Sequence, residues 1–209
     1  MEAIMKNIII GLITGVLMLV TPSAFADNEN GGAYAGGGIG IYTGGVTLTI
    51  PASSVSVDLG SSSLDVGLNL FGGYKMNMGK GSIAGEVAFN SGTGKNINLT
   101  SGATTSNIKM TNNWSVSVLP GYNLTQDTTS YLRLGYTQGK GEMTATGAPA
   151  SSHTFNGYVV GFGVDQAVSP NLAARLEYQV LNFSSWTDTT GTTSKPRSTG
   201  LNLSVRYAF

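Results

Sequence analysis

The chain is poor in charge, so the side chains that could do chemistry are few: Lys75, Glu86, Arg133, Asp165, Arg175, Glu177 and Arg206. Charged residues make up 11% of the 209, against roughly 25% in ordinary soluble domains. Each of the seven sits in a stretch where every second residue is large and apolar, and each takes the opposite phase. In "NLAARLEYQV", Arg175 and Glu177 alternate with Leu172, Ala174, Leu176 and Tyr178. In "SIAGEVAFN", Glu86 alternates with Ile83, Val87 and Phe89, and in "YLRLGYT", Arg133 alternates with Leu132, Leu134 and Tyr136. A charge in a confined, protein-lined space is costly unless paired. Near-balanced signs on one face therefore predict an ion-pair network, with Glu86, Arg133, Arg175 and Glu177 at mid-strand and the others nearer strand ends.

Catalytic and cofactor chemistry finds little support. The only histidine, His153, follows Ser151 and Ser152, but no carboxylate is evident to orient it as a base. "SGTGKN" resembles the tail of a phosphate loop, yet Phe89 stands where glycine is needed and Asn96 where a hydroxyl is needed. "GGGIGIYTGG" lacks the G-x-G-x-x-G spacing. With no cysteine and one histidine, thiolate and multi-histidine metal sites are excluded. A net charge of zero gives no field for nucleic acid. We therefore expect no enzyme activity, no cofactor and no metal.

The elements carrying these residues follow an export signal. Lys6, an apolar run from Ile8 to Val20 and Ala24-Phe25-Ala26 form a leader cleaved after Ala26. The run is too short for a spanning helix. Residues 1–26 are thus a signal peptide and 27–209 one domain. That domain shows no sustained helical period. Alternation instead recurs in eight segments, in "AYAGGGIGIY", "DVGLNLFGGYK", "SIAGEVAFN", "WSVSVLPGY", "YLRLGYT", "GYVVGFGVD", "NLAARLEYQV" and the final "LNLSVRYAF". Short connections such as "MNMGKG", "LTQDTT" and "VSPN" alternate with long Ser/Thr/Gly-rich ones near 43–63, 92–109, 142–153 and 184–198.

Short turns at one end and long loops at the other suit a barrel spanning a membrane. The identity of the non-apolar row supports this choice. Gly, Ala, Ser and Asn would make a poor soluble surface but fit the crowded interior of a narrow barrel, leaving the large apolar row to face hydrocarbon. Tyr74, Tyr122, Tyr207 and Phe209 near the short turns, and Tyr42, Phe89, Trp114, Tyr136 and Phe183 near the long loops, are expected to form two interfacial girdles. Phe71 and Leu119 fall on the inward phase, and Pro120 lies near a strand end, where a missing ladder donor costs least. In the first long loop, Val46, Leu48 and Ile50 alternate, as do Val55, Val57 and Leu59. They form either a small separate hairpin above the rim or a plain continuation of the two strands.

In "GYVVGFGVDQAVSPNLAARLEYQ" and the terminal "VRYAF", the chain resembles the small bacterial outer-membrane β-barrels of the OmpA and opacity-protein type, a porin-like barrel domain. That resemblance implies an all-β, eight-stranded antiparallel transmembrane barrel in the outer membrane of a Gram-negative bacterium. It implies outer-membrane lipid and lipopolysaccharide as surroundings, and the barrel-assembly machinery as a partner that recognises Val205, Tyr207 and Phe209. We expect a monomer with a structural or surface-interaction role. Its loop contacts to a host or surface ligand would be made by Val46, Leu48, Ile50, Val55, Val57, Leu59 and Trp186. A narrow passive porin-like channel is the alternative, and a lipid-modifying enzyme comes third.

Overall fold

The computed structural model describes residues 31–50, 55–60, 64–91, 97–101, 104–145, 151–187 and 193–209. The expected leader, residues 1–26, lies outside the described residues. Eleven strands follow in order: β1 (Gly31–Ile50), β2 (Val55–Gly60), β3 (Asp65–Met78), β4 (Gly81–Ser91), β5 (Ile97–Ser101), β6 (Thr104–Asn123), β7 (Thr128–Ala145), β8 (Ser151–Ser169), β9 (Leu172–Phe183), β10 (Trp186–Thr187) and β11 (Thr193–Ala208). Eight of them, β1, β3, β4, β6, β7, β8, β9 and β11, pair antiparallel with their neighbours, and β1 pairs with β11 to close the ring. The short β2, β5 and β10 sit beside β1, β6 and β11 at the long-loop end. The expected eight-stranded antiparallel barrel is the one formed.

Closure leaves no sheet edge in the wall, so every ladder group there has a partner without water. The outer face then carries the large side chains: Leu68, Leu70, Val116, Leu134, Phe162, Leu176, Leu203 and Val205 are each about half exposed or more. A continuous belt of that kind is unfavourable in water and belongs against hydrocarbon. The inner face carries Ser82, Ala84, Ala88, Ser115, Ser117, Ala173 and Ser204, all buried. Gly79, at φ 64, suits the tight turn between β3 and β4, because a side chain there would be strained.

Several loop boundaries differ from expectation. β1 reaches Ile50, β6 begins at Thr104, β7 reaches Ala145 and β11 begins at Thr193, so much of what was read as loop is sheet. A strand of 20 residues such as β1 is about 66 Å long, well beyond the tilted 9–11 residues that cross the hydrocarbon. The long-loop end therefore stands as a ribboned collar above the membrane. Bulges at Met110/Asn112 and Ala167/Ser169 lie toward opposite rims, where they disturb the wall least. Pro120 sits where the β6–β7 ladder lapses, between Val118↔Leu134 and Gly121↔Tyr131.

Strand continuity and parity decide four further readings. β1 runs unbroken from Gly31 to Ile50, so the hairpin of β1 and β2 is not separate, and β1 stays paired to β11 as far as Thr49↔Thr193. With Ile39 and Ile41 outward, Tyr42 and Val46 must point in, and both are buried. Tyr42 is thus no girdle residue, and Val46 is no part of an exposed contact row. Phe183 likewise takes the inward phase of β9 and is buried. Phe89, Trp114, Tyr136, Tyr74, Tyr122 and Tyr207 do face outward.

The belt assignment has a measurable consequence. Leu203→Arg, in the middle of β11's outward row, is expected to cost about 2–4 kcal/mol of folding free energy in lipid vesicles. Leu124→Arg, in the short turn after β6, is expected to cost little. Equal urea midpoints for the two variants would show that the outer face is not in hydrocarbon.

Candidate functional site

The inward charges meet in one chain of ion pairs across the barrel. Glu86 of β4 has its side chain fully buried and takes Arg133 of β7 on Oε1 and Arg175 of β9 on Oε2, the latter at 2.6 Å. Arg133 also donates from Nε and Nη2 to Glu177 at 3.0 and 2.9 Å. Arg175 donates from Nε and Nη2 to Asp165 of β8 at 2.7 and 3.2 Å. Arg206 of β11 ends the chain, its Nε 3.1 Å from Asp165 Oδ2 as an ion pair without hydrogen-bond alignment. The order Glu177–Arg133–Glu86–Arg175–Asp165–Arg206 alternates in sign throughout. The structure brings these six side chains together. Lys75 is the exception: it donates to Thr129 Oγ1 at 3.3 Å and joins no salt bridge among the described residues.

Aromatic side chains complete the shell. The Tyr34 hydroxyl donates to Glu86 at 2.9 Å and the Tyr131 hydroxyl to Glu177 at 2.6 Å. Arg175's guanidinium lies 4.5 Å from the Phe71 ring centre and 4.9 Å from that of Tyr131. Charged hydrogen bonds in a dry space are strong, and the ring faces accept the cation where water is excluded.

Space for these rings comes from glycine directly across the ladder. Tyr34 is registered with Gly73, Phe71 with Gly36, Tyr42 with Gly200, Tyr131 with Gly163, Phe155 with Gly139 and Phe183 with Gly157. A Cβ on Gly36, Gly73, Gly163 or Gly200 would run into the ring or hydroxyl of its partner. The missing side chain on one strand thus makes the bed for an aromatic laid inward from the next. Phe71 apart, the inward aromatics were the signal that the sequence reading missed. Each inward-phase aromatic with a glycine one strand away would have revealed it, but the pairing needs the register.

A tier of amides adjoins the ion pairs. Tyr42's hydroxyl lies against the Oδ1 of Asn202 and, at 3.1 Å, that of Asn90; Asn69 donates to Asn90 at 2.6 Å and Asn90 to Asn113 at 2.9 Å. Toward the long-loop end, Phe155, Val159, Leu181 and Phe183 close the interior with an apolar cluster. At the opposite end, Lys75, Ser82, Thr129, Asp165, Arg175 and Arg206 help line a cavity of about 20 Å³, which is room for water but not for a hydrated ion or solute.

The remaining candidates lie apart from this interior. Val205 and Tyr207 face outward, and the Tyr207 and Phe209 rings meet edge-on at 5.3 Å. The Phe209 N–H donates to Ala33's carbonyl at 3.0 Å, at the β1–β11 seam. Register pairs Val46 with Leu59, Leu48 with Val57, Ile50 with Val55 and Trp186 with Ser194. Except for Val46, the side chains of these loop residues lie outside the description, as do those of Ser151 and His153.

Comparison with known proteins agrees with this architecture. Residues 12–209 match the family described as the outer membrane protein beta-barrel domain. Outer membrane protein A of Klebsiella pneumoniae is 38% identical over 94 residues, covering 43% of this chain and 27% of that protein, so the chain spans about a quarter of that relative's length. The outer membrane protein OprG from Pseudomonas aeruginosa superposes with TM-score 0.50 at 12% identity, covering 86% of this chain and 97% of OprG. Neisserial surface protein A gives TM-score 0.48 at 15% identity, covering 85% and 99% of the two chains.

Removing the hub should expose its role. Glu86→Ala leaves two buried guanidinium groups without a shared counter-charge, an expected loss on the order of 3–5 kcal/mol. Tyr34→Phe removes one hydrogen bond to the same carboxylate and should cost about 1.5–3 kcal/mol. Urea midpoints in detergent should fall in that order, and an unchanged midpoint for Glu86→Ala would mean the pairs are solvated.

Proposed function

The chain belongs to the outer membrane protein beta-barrel domain family and resides in the Gram-negative outer membrane, and on that premise we propose that it is a plugged structural and surface-interaction barrel. The observation that carries this reading is the filled interior. Among the described residues, ion pairs, amides and apolar rings follow one another along the axis, with a small cavity near the short turns. Eight strands leave little more than room for side chains in any case. A solute passing through would have to break buried ion pairs, so the alternative of a passive channel is the weaker one. A non-catalytic role is supported by the engagement of Glu86, Asp165 and Glu177 with arginines, which leaves none of these carboxylates poised as an acid or base.

Function then falls to the collar, where strands outrun the membrane and the long connections emerge. Contacts with a host or surface ligand are proposed for the mouth of the collar, where Leu48 and Ile50 follow Val46 in phase on β1 and Val55, Val57 and Leu59 register with that row from β2, and for Trp186 on β10. Assembly is assigned to Val205, Tyr207 and Phe209, because they lie at the seam where β11 meets β1 and closes the ring. The protein works as a monomer in this reading, its wall being complete without a second copy.

Planar-bilayer recordings should give conductance that is absent, or small and flickering. A large, steady, porin-like conductance would overturn the plugged reading. Trimming 46–59 and 186–192 together should reduce cell adhesion, serum survival or aggregation while leaving the folded barrel intact, and no change in any of the three would remove the surface-interaction reading.

Changing Phe209 to Asp, or deleting it, should lower the amount of folded protein in the outer membrane of cells, measured by the heat-sensitive gel shift. A wild-type yield would dismiss the assembly role.

A further inference from the structure

The outer wall carries a pair of cations that neither the interior network nor the surface-loop reading uses. Along β11 the outward row runs Tyr207, Val205, Leu203, Leu201, Thr199, Arg197, Lys195, and every member but Thr199 is exposed. The apolar part stops at Leu201. On neighbouring β9 it stops at Val180, registered with Thr199, and the next outward pair is Asn182 with Arg197. Beyond Asn182 across the ladder stands Tyr158 on β8, exposed and registered with Tyr136 on β7. Arg197 and Lys195 therefore emerge on the long-loop side just beyond the apolar part of the wall, where headgroups succeed hydrocarbon.

Neither cation has a hydrogen bond or ion pair among the described residues. On β1, Arg197 faces Gly45 and Lys195 faces Thr47, so the neighbouring outward positions offer no carboxylate. Among the described residues, the acidic one nearest in register is Asp58, paired with Thr47 from the far side on β2, which leaves the patch with a positive surplus. Two unpaired cations at the edge of a hydrocarbon belt would be drawn to anionic headgroups. A guanidinium offers a planar fork matching two phosphate oxygens, and an ammonium adds a point charge one dipeptide away.

We propose that Arg197 and Lys195 form an outward-facing clamp for the phosphate of an outer-leaflet glycolipid, with the Asn182 amide beside Arg197. The clamp ties β11, the strand that closes the barrel, to the lipid around it. It rests on the membrane-embedded placement of the barrel and not on any ligand of the loops, so it stands or falls separately from the surface-interaction reading.

The test uses the full folded protein in nanodiscs, probed with purified lipid A carrying its phosphates and with the same lipid dephosphorylated. Wild type should bind the phosphorylated form at least about tenfold more tightly, and Arg197→Ala with Lys195→Ala should abolish that preference. Lys80→Ala, at the short-turn end, should leave it intact, and Arg197→Lys should restore part of it. The heat-sensitive gel shift confirms that each variant is folded, and if the double variant fails to fold, Lys195→Gln alone serves as the weakened clamp. Equal binding of the two lipids by wild type, or an unchanged preference in the clamp variants, would overturn the proposal. So would complete competition by millimolar inorganic phosphate, which would make this a free-phosphate site and not a lipid clamp.

Discussion

One carboxylate organises the interior. Glu86 projects from β4 and accepts from Arg133 on β7, Arg175 on β9 and Tyr34 on β1. The ladder bonds of a barrel join only neighbouring strands, so they define a ring without fixing its cross-section. Lipid adds no hydrophobic drive to hold the wall together, since the tails are as apolar as the belt they meet. Ties across the lumen must do that. A buried carboxylate with three donors from three other strands fixes the cross-section, because losing either arginine strips counter-charge from a dry space and losing Tyr34 removes a hydrogen bond there.

The hub can exist only because the wall around it is thin. Glycine stands opposite each of six inward aromatics, so the rings lie flat against the wall without pushing strands apart. Phe71 and Tyr131 then flank Arg175, and the hydroxyls of Tyr34 and Tyr131 donate hydrogen bonds to Glu86 and Glu177. The same filling packs the lumen of the wall with side chains. In the proposed plugged reading, interaction with the surroundings is left to two outer surfaces: the collar formed where strands outrun the membrane, and the lipid-facing wall itself.

Much of this architecture is written locally in the chain. Alternation of period two decides which residues face lipid, as with Leu201, Leu203 and Val205, and the small residues between them decide that the other face is the interior. Charges on that inner phase, Glu86 and Arg175 for example, had to be paired. The errors came where the eye preferred residue type to parity. Tyr42 and Phe183 look like girdle residues because aromatics often sit at interfaces, but the count from Ile41 and from Leu172 places both inside. Val46 reads as part of a loop row, but it lies on unbroken strand and in the inward phase.

By itself, then, the sequence determined the closed all-β wall, its lipid-facing row and the set of charges inside it, because these depend on a two-residue period that each strand carries independently. Only the tertiary structure decided who pairs with whom. Glu86 and Arg175 are 89 positions apart, and their contact depends on strand order, register and barrel radius together. Those same long-range quantities place glycine opposite each inward ring, leave Lys75 bonded to Thr129 and outside the ion-pair chain, and carry β1 and β11 beyond the membrane. None of these is a property of any one strand, so no single stretch of the chain could reveal them.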